Sequence, residues 1–239
     1  VQRFFSTVMA WPVLLWAFFR QHVLDPTDTY ILAGDECVVT KAGKKTYGLD
    51  RFFSSLYGKP VPGLSFFTVS LLSVNERCSY PIRVEQMRRT EAEKAAARAK
   101  AHKRGSHSQN AANKAKPGRP QGSKNRAKTP VVLNSELQRI QIMMQQQLAT
   151  IDGAIPLCHL VLDGHFGNNP ALSMVRSVGL HLISKLRHDA ALSFPYEGTY
   201  AGRGPRRKYG SKLDYTHIPV KYLKRTTGED HIQTHIYQA

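Results

Sequence analysis

The sequence predicts an α/β fold in which helices flank one mixed sheet, and three observations predict it. Three β-branched, apolar runs follow one another closely in the first third, "TYILAGDECVVT", "GLSFFTVSLLSV" and "SYPIRVEQM", which is the pattern of an antiparallel meander. From residue 135 onward, helical periodicity alternates with short apolar strands. The 239 residues are 41% hydrophobic, which suffices for one sizeable core or for a core with a smaller appended domain.

Each element has its own signal. The opening "FFSTVMAWPVLLWAFF" is apolar, but it is shorter than the roughly 20 residues of a membrane span and Pro12 interrupts it. It also lacks a signal-cleavage pattern, so a core-packing helix ending near Arg20 is expected within residues 1–28. Residues 29–85 bring the first strand, with Asp35 in its middle, and a basic, Gly-punctuated loop "KAGKKTYG". Next comes a short helix, "LDRFFSSLYGK", with Asp50 near its start and Gly58 past its end, and then the other two strands of the meander.

Residues 86–130 have almost no large apolar side chain and cannot build a core, so a mobile basic insert is expected there, helical at most through its Ala-rich beginning. Order returns over 131–195. In "NSELQRIQIMMQQQLATIDG", Ser135 and Gln138 have the spacing of a capping box. Leu137, Ile140, Met144, Leu148 and Ile151 recur at helical steps, so one face packs on the sheet. The strand "PLCHLVLD" ends on Asp163, with Cys158 and His159 expected inside the core. A helix follows with Asn169 as N-cap, Pro170 at its first position and Gly179 closing it. "LHLISKLRHDAALSF" is another strand, with Lys185 and Arg187 two apart on one face. Residues 196–239 mix Gly-rich basic loops with short strand signals and read as mostly β.

The formal charge is +17, and it is concentrated: residues 86–128 hold thirteen Lys and Arg against Glu91 and Glu93. That distribution favours a polyanionic partner, nucleic acid before membrane. Three scattered cysteines, Cys37, Cys78 and Cys158, give neither a zinc spacing nor a disulfide framework, and reduced cytoplasmic thiols are the default.

Asp35 and Asp163 pose the chemical question. If their strands are neighbours, the Cα atoms lie about 5 Å apart, and two carboxylates that close repel unless a cation sits between them. Hard, oxygen-seeking Mg²⁺ or Mn²⁺ suits such a pair and stabilises in-line phosphoryl displacement. A lone Asp before Gly is as readily a turn residue. An acid in mid-strand is harder to dismiss, because a buried unpaired carboxylate is costly.

Three blocks, "GDECVVTKAGKKTYGLDRFFSSLYGKPVPGLSFF", "LVLDGHFGNN" and "ISKLRHDAAL", together resemble the DDE transposases of bacterial insertion sequences, in the branch whose catalytic core carries a β-rich insertion. The resemblance implies a ribonuclease-H-like fold, a mixed sheet flanked by helices, with a β-rich insertion beginning near residue 196. It implies Asp35 as the first acid and Asp163 as the second, both catalytic and both binding divalent Mg²⁺ or Mn²⁺. Lys41, Lys44, Lys45, Lys185 and Arg187 would hold phosphates of transposon-end DNA, contacts that position without reading sequence. Transposon ends and target, both double-stranded DNA, would be the partners. Synapsis by a homodimer and a cytoplasmic, nucleoid-associated place in a bacterium complete the expectation.

Within the insert, "KPGRPQGSK" resembles the core of an AT-hook, with Arg119 entering a narrow A/T minor groove. His165 lies just past Asp163, where a substrate strand would pass. The family's third acid is a Glu in a Tyr-x-x-Arg-x-x-x-Glu pattern placed after the insertion. At "YAGRGPRR" that position is Arg207, and Glu197 and Glu229 are not taken as substitutes. Because the chain opens on Val1 and ends directly after "HIQTHIYQA", the expectation is a catalytically incomplete piece of a longer transposase. A non-catalytic basic DNA-binding protein and a decayed remnant are the alternatives.

Overall fold

The computed structural model describes residues 8–43, 45–54, 56–96, 99, 131–186, 190, 192–200, 202, 206–229 and 232–238. The chain divides into two compact units, Val1–Lys185 and Leu186–Ala239.

In the first unit the chain runs α1 (Trp11–His22), β1 (Tyr30–Thr40), β2 (Asp50–Ser54), β3 (Lys59–Ser73), β4 (Ser79–Met87), α2 (Ser135–Ile151), β5 (His159–Leu162), α3 (Asn169–Ser177) and β6 (His181–Ser184). Six strands make one mixed sheet in the order β2-β3-β1-β5-β6, with β4 also on β3. The long strand β3 organises it. One edge of β3 pairs antiparallel with β1, and the other takes β2 and then β4 in succession. β5 and β6 add parallel to the free side of β1.

The pleat sorts the side chains. Phe67, Val69 and Leu71 of β3, Leu32 of β1, and Leu160 and Leu162 of β5 are all buried. They share one core with Trp16 and Phe19 of α1, with Leu137, Ile140, Met143, Met144 and Ile151 of α2, and with Ala171, Met174 and Val175 of α3. Pro12 does not interrupt α1, because it falls in the first turn, where no backbone donor is needed. Phe19 of α1 meets the Tyr30 ring edge-on at 5.4 Å, fastening the helix to the start of β1.

Four local expectations need correction. Residues 50–54 are the strand β2 and not a helix: pairing with Lys59–Gly63 of β3 outweighs local propensity, and Gly58 serves the tight turn at φ +61°. The N-cap of α2 is Asn134, whose side chain accepts from the Leu137 N–H, so Ser135 stands one position inside the helix. Asn168, and not Asn169, caps α3 through the Ala171 N–H. Gly179 follows α3 at φ +82°, in the closing conformation expected of it. Finally, Cys158 and His159 are exposed, because β5 begins at His159 and the core contacts begin at Leu160. All three cysteines are free thiols.

The second unit holds two antiparallel hairpins, β7 (Ser193–Pro195) with β8 (Tyr209–Lys212) and β9 (Leu223–Glu229) with β10 (Ile232–Tyr237). Phe194 stacks on Tyr222 at 4.7 Å, and Glu197 is tied to Lys221 and to the Tyr222 hydroxyl.

Candidate active site

The parallel ladder between β1 and β5 decides where the two acids lie. Its register runs Leu32–Leu160, Ala33–Val161 and Gly34–Leu162, so the next residue on each strand is Asp35 and Asp163. Neighbouring strands lie about 5 Å apart. Asp163, directly past the carboxyl end of β5, therefore stands beside Asp35 in the middle of β1. Both line one cleft of about 680 Å³.

Gly34 explains how the core closes beneath the acids. A Cβ there would lie 2.7 Å from Phe67 Cζ and 2.8 Å from Leu162 Cδ2, so the residue before Asp35 must be bare for the core to close beneath it. Asp35 is exposed rather than buried, and its Oδ1 accepts from the Glu36 N–H at 2.9 Å. Its pleat position faces away from Leu32, so it avoids the desolvation cost expected of a mid-strand acid.

Asp163 is held by a turn. Its carboxylate accepts from the His165 N–H at 3.2 Å, capping the 3₁₀ turn Gly164–Phe166. The Ser184 hydroxyl donates to its carbonyl at 2.6 Å. Asn168 braces the same turn by donating to the His165 carbonyl at 2.9 Å. Phe166 plugs the turn into the core, edge-on to Phe67 at 6.4 Å. The turn can lie against the end of β6 because a Cβ on Gly167 would come within 2.6 Å of the Lys185 carbonyl.

The other cleft residues carry both signs of charge. Glu36 bonds the buried Ser65 hydroxyl, and burial of Glu136, with Glu36 nearby, pushes the Glu136 carboxyl up against the pull of His165, Arg139 and Arg89. Glu93 goes the other way. Hydrogen bonds from Ser135, the Thr90 N–H and Arg139, with the Arg139 charge, hold its carboxyl down at about 2. Glu93 also closes a capping box with Thr90 at the start of the helical residues 91–96. The spacing Thr90 to Glu93 was readable in the sequence.

The remaining expected DNA contacts are placed unequally. His165 lines the cleft with the acids. Lys41 and Lys45 are exposed on the loop after β1, outside the cleft wall, and Lys185 lies past the end of β6 beside the Asp163 turn. β6 stops at Ser184, so Lys185 lies outside the strand. Lys44, Arg119 and Arg187 lie outside the described residues, as does most of the basic insert. Arg88 and Arg89 line the cleft, although by sequence they had counted only as part of the insert's charge.

Setting Glu229 aside also needs correction, because Tyr222, Arg225 and Glu229 do have the Tyr-x-x-Arg-x-x-x-Glu spacing. That spacing falls on β9 and the residue before it. Among the described residues, no group of three or more His, Cys, Asp or Glu is arranged to hold a metal. No helix among them is long and apolar enough to cross a membrane.

The model of the DDE superfamily endonuclease family matches residues 1–238. The sheet and its flanking helices agree with the ribonuclease-H-like fold of DDE proteins. No curated protein and no solved structure matches the chain.

Proposed function

We propose that this chain, which belongs to the DDE superfamily endonuclease family, is the DNA-cleaving core of an insertion-sequence transposase, with Asp35 and Asp163 as its metal-binding acids. One observation carries the reading: the β1–β5 register brings these two residues, distant in sequence, side by side on one cleft. Two hard carboxylates fit Mg²⁺ or Mn²⁺, which commonly takes one or two protein carboxylates and completes its shell with water and substrate phosphate. When bound, the ion supplies charge stabilisation at the phosphorus and an activated oxygen nucleophile.

The chain's own residues orient and hold. The Glu36 and His165 N–H groups fix one oxygen of each acid, and Ser184 and Asn168 keep the Asp163 turn from shifting. His165 sits where the substrate strand passes. Lys41, Lys45 and Lys185, with Lys44, Arg187 and the basic insert including Arg119, give affinity for end and target DNA. The full reaction is cleavage of element ends followed by strand transfer, carried out by a homodimer at the bacterial nucleoid. With Asp35 and Asp163 alone holding the ion, the chain binds it weakly and does not cleave efficiently.

The test is Mn²⁺ binding followed by electron paramagnetic resonance, together with nicking of a duplex bearing the element's ends. Asp35→Asn and Asp163→Asn should each abolish Mn²⁺ binding while sparing DNA affinity. Unchanged Mn²⁺ affinity in both variants would overturn the assignment. Efficient nicking by the chain that disappears in Glu229→Gln would make Glu229 the third acid and refute the claim of incompleteness.

A further inference from the structure

The cleft that holds the acids also has a basic wall, which the acids alone do not explain. β4 ends at Met87, and the two residues that follow, Arg88 and Arg89, both line the cleft. Each guanidinium lies over a ring: Arg88 is 4.5 Å from the centroid of Tyr47, and Arg89 is 5.0 Å from that of Phe52. Attraction to a ring face holds a guanidinium in place without using its N–H groups, which match phosphate oxygens in a two-point contact.

The Phe52 half of this platform is built into the sheet, while Tyr47 is 74% exposed on the loop before β2. Phe52 is buried in β2, and Gly48, at φ +76°, lets the preceding loop lie on β4. A Cβ at Gly48 would come within 2.3 Å of Gln86 Nε2 and 3.2 Å of Arg88 Cδ. Arg89 donates to the Arg51 carbonyl at 3.1 Å and lies 3.7 Å from an Asp50 oxygen. Arg88 has no carboxylate partner among the described residues, whereas Arg139, across the cleft, is already paired with Glu93.

We propose that Arg88 and Arg89 grip backbone phosphates of the DNA strand that runs past Asp35 and Asp163, and so position it in the cleft. The proposal rests on the nuclease reading and adds the grip that this reading lacks. A polyanion meets Asp35, Glu36, Glu136 and Asp163 in the cleft, so its entry needs fixed positive charge on another wall. The sheet gives the offset. Met87 is level with Val38 through their common partner Ser65, and β3 separates β4 from β1. Two strand spacings across, and four to five residues along from Asp35, put the arginines roughly 16–19 Å from Asp35.

The experiment measures fluorescence anisotropy of a labelled duplex of about 30 base pairs against the whole chain over a salt series. Arg88→Ala/Arg89→Ala should weaken binding at least tenfold near 0.1 M salt and lower the salt slope by about two, since each phosphate contact contributes about 0.9. Arg88→Gln, which breaks no ion pair among the described residues, should lower the slope by about one and keeps the test decisive if the double variant fails to fold. Arg88→Lys/Arg89→Lys should restore the slope but not the affinity, because an ammonium does not reproduce the planar fork. Folded variants that bind with the original affinity and slope would overturn the proposal, as would Lys variants of full affinity. Mn²⁺ binding should be unchanged in all of them. The grip and the metal assignment can therefore fail separately.

Discussion

Replacing Gly34 by Ala should loosen the acid pair without touching either acid. The new Cβ would sit 2.7 Å from Phe67 Cζ, 2.8 Å from Leu162 Cδ2 and 3.0 Å from Phe67 Cε1. Comfortable carbon contacts are about 3.5–4.0 Å, so each neighbour must retreat by about 1 Å. Neither has open room, since Phe67 and Leu162 are 1% and 2% exposed. Overpacking of this kind costs about 1–3 kcal/mol, and the lower entropy of the unfolded Ala chain returns about 0.4–1 kcal/mol. A net loss of roughly 1–2 kcal/mol is expected. The displacement falls on the residues that directly precede Asp35 and Asp163, so Mn²⁺ affinity should fall as well. Urea denaturation with an unchanged slope measures the first effect and a Mn²⁺ titration the second. Phe67→Leu in the same chain removes the ring atoms in conflict, and the double variant should be more stable than the two single changes add up to. A Gly34→Ala chain as stable as the original, with equal Mn²⁺ affinity, would refute this account of how the core closes.

Two further outcomes follow from named contacts. Glu93 is held from an ordinary 4.5 down to about 2, chiefly by Ser135, and its side chain is 21% exposed. Full shielding would make that worth roughly 3 kcal/mol, and solvent screening reduces it to about 1–2 kcal/mol. Because the folded pKa is depressed, this stability is present above about 4.5 and is lost as pH falls toward about 2. Glu93→Gln should therefore destabilise the chain at pH near neutrality and make no difference near pH 2, as read by denaturant midpoints across pH; a difference independent of pH would contradict the linkage. Asn168→Ala removes both the cap of α3 and the brace on the Asp163 turn, and should lower stability by about 1 kcal/mol together with Mn²⁺ affinity. Loss of stability alone would show that the brace is unnecessary.

Residues whose partners are close in sequence were legible, and those that depend on a distant partner were not. β1, β3 and β4 announced themselves through alternating apolar residues, and α2 through the spacing from Leu137 to Ile151, because these patterns express a single buried face. The acids could be paired from sequence because Asp163 ends an apolar run, Asp35 interrupts one, and the three family-like blocks set them in order. β2 was misread because Phe52 and Phe53 fit either period, and only β3 and the Arg89 guanidinium give Phe52 its face. Asn134 and Ser135 are both competent caps, and the choice between them depends on where the helix meets the sheet. Arg88 and Arg89 looked like the first of many insert charges. Nothing local shows that Tyr47 and Phe52 hold them over the cleft.

The parallel pairing of β1 with β5 has a kinetic consequence. β1, β3 and β4 are near neighbours in sequence and can form their ladder as soon as they are synthesised. β5 is made roughly 130 residues after Asp35, on the order of ten seconds later at ribosomal rates. Until then the Leu32–Gly34 edge of β1 has no partner, which makes it the surface most exposed to wrong pairing with another nascent chain. The same delay has a protective side. On the proposed function, a half-made chain holds DNA through its early basic residues but has no second acid beside Asp35, so strand breakage has to wait for the sheet to close.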